Sequence, residues 1–167
     1  MTDFRPMRRI RQQLPYDECI EILNQATSGV LALHGDNDYP YALPISFVYS
    51  DGCIYFHSAV EGHKIDAIRR DERCSFCVID ADDVQPATFT THFKSVIAFG
   101  RIQIIEDDDE RLRVLRLLGQ RYSPNDHKGL QHEIDTLFSR VAMLCLRIEH
   151  ITGKEAKELM QQRVHQG

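Results

Sequence analysis

The side chains best suited to chemistry cluster between Pro40 and Arg70 of the 167-residue chain. The first part reads PYALPISFVYS. At the two-residue period of a strand, Tyr41, Leu43, Ile45, Phe47 and Tyr49 share one face and Ala42, Pro44 and Ser46 the other. One face is bulky and core-like; the other is small and leaves room for a flat group. Pro40 and Pro44 have no N–H, so this strand cannot be paired regularly on both sides. Neighbouring backbone groups are then free to bond the edge of a ligand. An ordinary edge strand with two prolines gives the same pattern.

The second part reads HSAVEGHKIDAIRR. An apolar strand ends at His57-Ser58, Gly62 turns the chain, and a helix begins. A helix N-terminus presents unpaired N–H groups and a partial positive charge, which suit a phosphate. Ser58 offers a hydroxyl, Lys64 a full charge, and Arg69 or Arg70 a further one, while Glu61 must point outward. A plain strand-to-helix turn with a solvated lysine fits the same residues. Taken together, a flat slot beside a phosphate cradle is what a flavin mononucleotide needs.

Other motifs are missing. There is no Gly-x-Gly for a dinucleotide loop, no G-x-S-x-G and no H-E-x-x-H. Gly62-His63-Lys64 ends like a phosphate loop, but residue 57, where that loop needs glycine, is His57. His57 and His63 have only His92 as a plausible third ligand, so no metal site is expected. Cys74 and Cys77 spell C-x-x-C inside the strand-like run RCSFCVID. Residues three apart on a strand point to opposite faces, so the pair reads as core thiols.

The elements that must position this stretch are strands more often than helices. Helical spacing runs from Tyr16 to Ala26, and Gly29 introduces the strand VLAL. A turn spans Gly35 to Asp38, and Asp51-Gly52 joins PYALPISFVYS to CIYFHS as a hairpin. A short helix covers Gly62 to Arg70. RCSFCVID and FKSVIAFGRIQII follow as strands, with Gly100 as a bulge. Asp107 to Glu110 open a helix, a second helical stretch spans Gly129 to Phe138, and VAMLCLRIEHI is a half-buried strand. Hairpin-linked strands with helices between them predict an antiparallel barrel with peripheral helices. The reading is one domain over 1–167, with a basic arm at 1–14 and a polar, helical tail at 153–167.

Composition sets the outer limits. A hydrophobic share of 43% and a charged share of 27% are ordinary for a globular chain. With 25 acidic and 20 basic side chains the net charge is −5, the wrong sign for gripping nucleic acid. No apolar run follows Arg5, Arg8, Arg9 and Arg11 as a leader would require, and none is long enough to span a membrane. Five cysteines without a leader read as free thiols. These features predict a cytoplasmic protein with no nucleic-acid or membrane partner.

Several blocks, in order, resemble the flavin-binding split-barrel proteins related to pyridoxamine 5'-phosphate oxidase. More narrowly, they resemble the nitroimidazole-resistance (Nim-type) branch. The blocks are Met7-Arg8-Arg9, Gly29 to Ala32, Pro40 to Ser46, Tyr55 to Ala59, and Gly62-His63-Lys64. Ser75 to Val78, Ser95-Val96 with Phe99-Gly100, and Ile151 to Lys154 complete them. The resemblance implies a mainly β fold, an antiparallel six-stranded split β-barrel, and a homodimer with FMN at the subunit interface. It implies that Leu43, Pro44, Ile45 and Ser46 face the isoalloxazine. His57, Ser58, Ala59, His63 and Lys64 would surround the ribityl chain and phosphate. Ser95 would come from the second subunit, with Thr152 and Lys154 as further cofactor contacts. The arginine–lysine phosphate pattern of true pyridoxamine phosphate oxidases is not evident, which puts that substrate in doubt.

Two functions follow from the resemblance. In one, the protein passes electrons from a reduced nicotinamide through the flavin to a small nitro-aromatic or quinone-like acceptor. The flavin carries the chemistry, so no side-chain acid, base or nucleophile is required. In the other, it is a non-catalytic flavin- or haem-binding carrier or sensor, with His57, His63 or His92 on iron. A deazaflavin is a third possible ligand.

Overall fold

The structure, a computed structural model, describes residues 4–166; Met1, Thr2 and Asp3 of the basic arm and Gly167 of the tail lie outside the described residues. In chain order the elements are α1 (Tyr16–Gln25), β1 (Ser28–His34), β2 (Pro40–Ser46), β3 (Val48–Ser50) and β4 (Cys53–Ala59). They continue with α2 (His63–Arg70), β5 (Arg73–Gln85), β6 (Thr90–Ile104), α3 (Asp108–Tyr122), α4 (His127–Leu137), β7 (Val141–Glu155) and α5 (Lys157–Gln166).

The strands form one antiparallel sheet in the order β2-β1-β5-β6-β7-β4-β3. Its two outer strands, β2 and β3, are consecutive in the chain and separated only by Phe47. The sheet is therefore not closed by hydrogen bonds, yet one bent segment supplies both of its edges. PYALPISFVYS reads in sequence as a single strand. It divides because the ladder partner changes at Phe47, from β1 on one side to β4 on the other. Phe47 itself is fully buried and points into the core. That division raises the strand count from the implied six to seven.

Beyond the bend, β3 returns as β4 through Asp51 (φ 50°) and Gly52 (φ 79°). Positive φ at both central residues is the two-residue hairpin geometry that Asp-Gly favours. Inside the sheet, Phe76 meets Phe47 and Phe56 edge-on, with centroids 4.9 and 5.2 Å away. Leu31, Ile54, Val78, Val96, Ile102 and Leu144 fill the same core. The buried faces of α1 (Cys19, Ile22, Leu23) and α2 (Ile65, Ala67, Ile68) join it. On the other side of β4 and β7, Val114 and Leu118 of α3 pack on Val48, Tyr55 and Met143. Asp107 caps α3 by accepting the Glu110 N–H at 2.8 Å.

Three expectations need correcting. β5 and β6 run on to Gln85 and Thr90 as a two-stranded ribbon, past an irregularity between Ile79 and Ala81. DADDVQ and TTH look like loop by composition because the ribbon buries little and is held by backbone pairing. Gly153 to Glu155 belong to β7, not to a helical tail, because β6 keeps pairing with them through Lys94↔Glu155. Gln13 adds a bridge to Lys154 from the other side. Finally, Cys74 pairs with Gly100 on the core side, whereas Cys77 pairs with Ile97 on the outer face and is only half-buried. Burial pushes the Cys74 thiol up to about 12 and raises that of Cys77 as well. Gly100 does mark a bulge: the β6–β7 register shifts there, and a Cβ would run into the Arg147 carbonyl.

Candidate functional site at the split

β2 and β4 are parted by the bend at Phe47, and their separation makes the site. Val48 pairs with Tyr55. Had the segment stayed on β4, Ser46 would lie opposite His57, Ile45 opposite Ser58, and Pro44 opposite Ala59. It peels away onto β1 instead, although β2 and β4 still approach one another. A wedge-shaped gap results, with Phe47 at its apex.

The backbone along this gap is free on one side. The Phe47 N–H donates to the Thr27 carbonyl at 3.3 Å and the Gly35 N–H to the Tyr39 carbonyl at 2.9 Å. Hydrogen-bonded pairs alternate along an antiparallel ladder, so Tyr41, Leu43 and Ile45 bond to β1. Ala42, Pro44 and Ser46 therefore turn their backbone groups outward, toward β4. Both prolines of β2 fall on this outward set, so neither removes a ladder bond. Ala42, Pro44 and Ser46 also have their side chains exposed, while Leu43 and Ile45 lean on the core.

The apex is held by a residue that the sequence reading missed. The Tyr122 hydroxyl, at the end of α3, accepts the Phe47 N–H at 2.9 Å. It also lies within hydrogen-bond reach of the Thr27 and Phe47 carbonyls. Arg121 beside it donates to the Gln25 and Ala26 carbonyls. No sequence signal marks these bonds, because their partners lie 75 to 96 residues away.

The mouth of the gap is shaped by the turn into α2. Gly62 has φ 116°, a conformation that L side chains rarely adopt. His57 and Ala59 are exposed, Ser58 is buried at 8%, and Lys64 is half-buried. Among the described residues no carboxylate lies within ion-pair distance of Lys64. Burial lowers the Lys64 pKa. Burial and then the Lys64 charge lower that of His57. A half-buried cation without a counter-ion, whose charge reaches the His57 imidazole, fits a phosphate, while Ser58 next to His57 turns to the buried face of β4.

Two expected contributors turn elsewhere. His63 stacks on Tyr41 at 4.1 Å, and its Nε2 lies 3.6 Å from Asp36. Arg70 is engaged by Asp36 at 3.0 Å and by the His34 carbonyl at 3.1 Å. Both brace α2 against the β1–β2 turn. Behind His57, a cleft of about 540 Å³ runs between α3, α4 and β4, with Tyr122, Leu118, Leu130, His132 and Val141 among its lining residues.

Ser95, Thr152 and Lys154 lie apart from the gap. Pro44, Val30, Cys77, Ile97 and Thr152 form one row across the outer face of β2, β1, β5, β6 and β7. Four strand spacings separate its ends, about 19 Å along the sheet. Ser95 pairs with Lys154 in a neighbouring row. Within one chain these three residues cannot meet the small face of β2 around a single ring. The face they share is apolar: Val30, Ile79 and Ile97 are 38%, 66% and 37% exposed.

The fold matches known proteins. The 5-nitroimidazole antibiotic resistance assignment belongs to a Bacteroides thetaiotaomicron protein that is 20% identical, with a TM-score of 0.75 and 86% of each chain covered. An FAD-binding protein of Mesorhizobium loti is 27% identical, with a TM-score of 0.60, covering 87% of this chain and 97% of its own. A flavocytochrome of Azotobacter vinelandii is 18% identical, with a TM-score of 0.77, covering 91% of this chain and 72% of its own. No curated protein matches the chain. The family model for pyridoxamine 5'-phosphate oxidase matches residues 15–155, from the start of α1 through the end of β7. The chain therefore belongs to the pyridoxamine 5'-phosphate oxidase family.

Proposed function

We propose that this protein is a flavin-dependent oxidoreductase of the nitroimidazole-resistance type, a cytoplasmic homodimer that holds FMN in the split between β2 and β4. The observation that carries this reading is the split itself. It sets Leu43 to Ser46 of β2 across a gap with a free backbone edge from His57 to Ala59 of β4, and Lys64 follows from the turn after β4 with its charge on His57. Bound there, the flavin supplies the electron transfer. The chain's own part is to hold and orient it. Ala42, Pro44 and Ser46 offer a small face and outward C=O groups to the ring edge, and Ala42 and Ser46 add outward N–H groups. Lys64 takes the phosphate, with His57 beside it. Leu43 and Ile45 fix the strand by packing inward.

A second copy docked on the outer face would bring Ser95, Thr152 and Lys154 to the flavin and cover Val30, Ile79 and Ile97. The cleft behind His57 suits a small, flat acceptor, and a reduced nicotinamide is the donor. The FAD-binding relative supports a flavin and makes the choice of FMN the point to test.

The absorbance spectrum of the purified protein tests the reading. A yellow protein that releases FMN on denaturation and is reduced by a nicotinamide donor is the expected result. A preparation that is colourless and stays so with added FMN overturns it. A haem spectrum would instead favour the carrier or sensor reading, to which the flavocytochrome neighbour and the neutral His57 lend support.

A further inference from the structure

The basic arm is not used by the split, and it is not loose. Gln12, buried at 7%, donates its side-chain amide to the Glu155 carbonyl at 2.9 Å. The Leu14 N–H donates to the Gly153 carbonyl at 3.0 Å. These bonds fix the short 3₁₀ turn Ile10–Gln12 against the end of β7 and the start of α5. A groove of about 640 Å³ opens between them. Arg8, Arg9 and Arg11 line one wall, and Lys157, Met160 and Gln161 of α5 line the other.

Among the described residues no carboxylate lines this groove, although acidic residues outnumber basic ones by 25 to 20 in the chain. The Glu155 carboxylate is held by Arg163 at 2.7 Å and turns away from the arm. Among the described residues none of the four cations is in an ion pair. Cations facing one another across a groove repel, so such a site gains most from an anion with charge at both walls. A single phosphate would fill a small part of the volume. Ile10, 62% exposed, and Met160 add apolar surface on which a flat base can lie. The chain's acidic excess disfavours a long polyanion but leaves a short one free to bind locally.

We infer that the groove between the basic arm and α5 binds the diphosphate of a nucleotide, with its base against Ile10 and Met160. Diphosphate binding here does not depend on a flavin in the split. The group belongs either to free ADP-like ligands or to a dinucleotide, whether FAD or a nicotinamide donor.

Titration calorimetry of the full chain with ADP, AMP and inorganic pyrophosphate tests this. ADP and pyrophosphate should bind, AMP more weakly, and affinity should fall as salt is raised. Arg8→Ala with Arg11→Ala should weaken ADP at least tenfold, the lower end for losing bonds to a charged group. Lys157→Ala, on the opposite wall, should weaken it as well. These side chains are exposed, and circular dichroism checks that the variants fold. If the arm variant weakens FAD but not FMN, the diphosphate is the flavin's. A raised KM for the nicotinamide donor with flavin retained assigns it to the donor. No ADP binding at low salt, unchanged affinity in both variants, or affinity for single-stranded RNA that grows with its length would overturn the proposal. Flavin absorbance, read in the same samples, reports separately on the split.

Discussion

The gap between β2 and β4 and the outer face of β5, β6 and β7 belong to one sheet but offer a ligand different things. At the gap, backbone groups of Ala42, Pro44 and Ser46 are unpaired, because the chain leaves β4 for β1 at Phe47. On the outer face Cys77, Ile97 and Ser95 sit inside paired rows of β5, β6 and β7, so mainly side chains are on offer. Ser95, Thr152 and Lys154 are such side chains, set among exposed apolar residues. The gap can therefore recognise the polar edge of a ring almost independently of side-chain identity. The outer face is suited to burying another surface. A site that needs both must draw them from two copies.

The strongest way to break this division is a charge on the outer face. Ile79 is exposed, so Ile79→Asp should leave the monomer folded. In a dimer the carboxylate would be buried without a partner, at about 3–5 kcal/mol for each copy. Analytical ultracentrifugation should show monomers, and flavin absorbance should be lost although every residue of the gap is intact. A dimer that survives and stays yellow would remove the outer face from the site.

Within the gap, Lys64→Ala should weaken flavin binding by about 1.5–3 kcal/mol, the range for a hydrogen bond to a charged group. Fluorescence titration measures it, and riboflavin, which has no phosphate, should be indifferent to the substitution. Equal losses for both ligands would move the phosphate elsewhere. Tyr122→Phe acts on the apex rather than the ligand. It removes a hydroxyl that shares the Phe47 N–H with the Thr27 carbonyl and should cost about 0.5–1.5 kcal/mol of stability by urea denaturation. If the bend at Phe47 is held by core packing alone, the loss will fall below that range.

Much of this division is legible in the sequence, since it rests on local patterns. The two-residue period of PYALPIS separates Leu43 and Ile45 from Ala42, Pro44 and Ser46, and Asp51-Gly52 announces its hairpin. Gly62 and Gly100 mark a turn and a bulge that other residues could not make cheaply. What escapes is what depends on partners far along the chain. Nothing local distinguishes the break at Phe47 from a continuous strand, because it comes from a change of neighbour. Tyr122 reads as the end of an amphipathic helix, yet it closes the apex. His63 and Arg70 read as phosphate ligands, but Asp36, 27 and 34 residues earlier, engages both. The resemblance names Ser95, Thr152 and Lys154, while only the register shows how far they lie from β2.

The smallest expected effect concerns how the gap carries its charge. Burial and the Lys64 charge hold His57 below its ordinary value of about 6.5. The unfolded chain therefore takes up this proton first, and His57 withdraws stability as pH falls below about 6.5. A phosphate bound beside His57 and Lys64 reverses the sign, since it favours the protonated ring. Flavin binding should then draw in a proton and gain affinity as pH falls through this range, by no more than about tenfold per pH unit for one linked group. The phosphate itself protonates near pH 6 and pulls the other way. His57→Gln keeps that second effect and removes the first. The difference between wild type and variant in flavin affinity against pH thus isolates the imidazole. Curves that stay parallel would place His57 on the side of the cleft between α3 and α4, away from the phosphate.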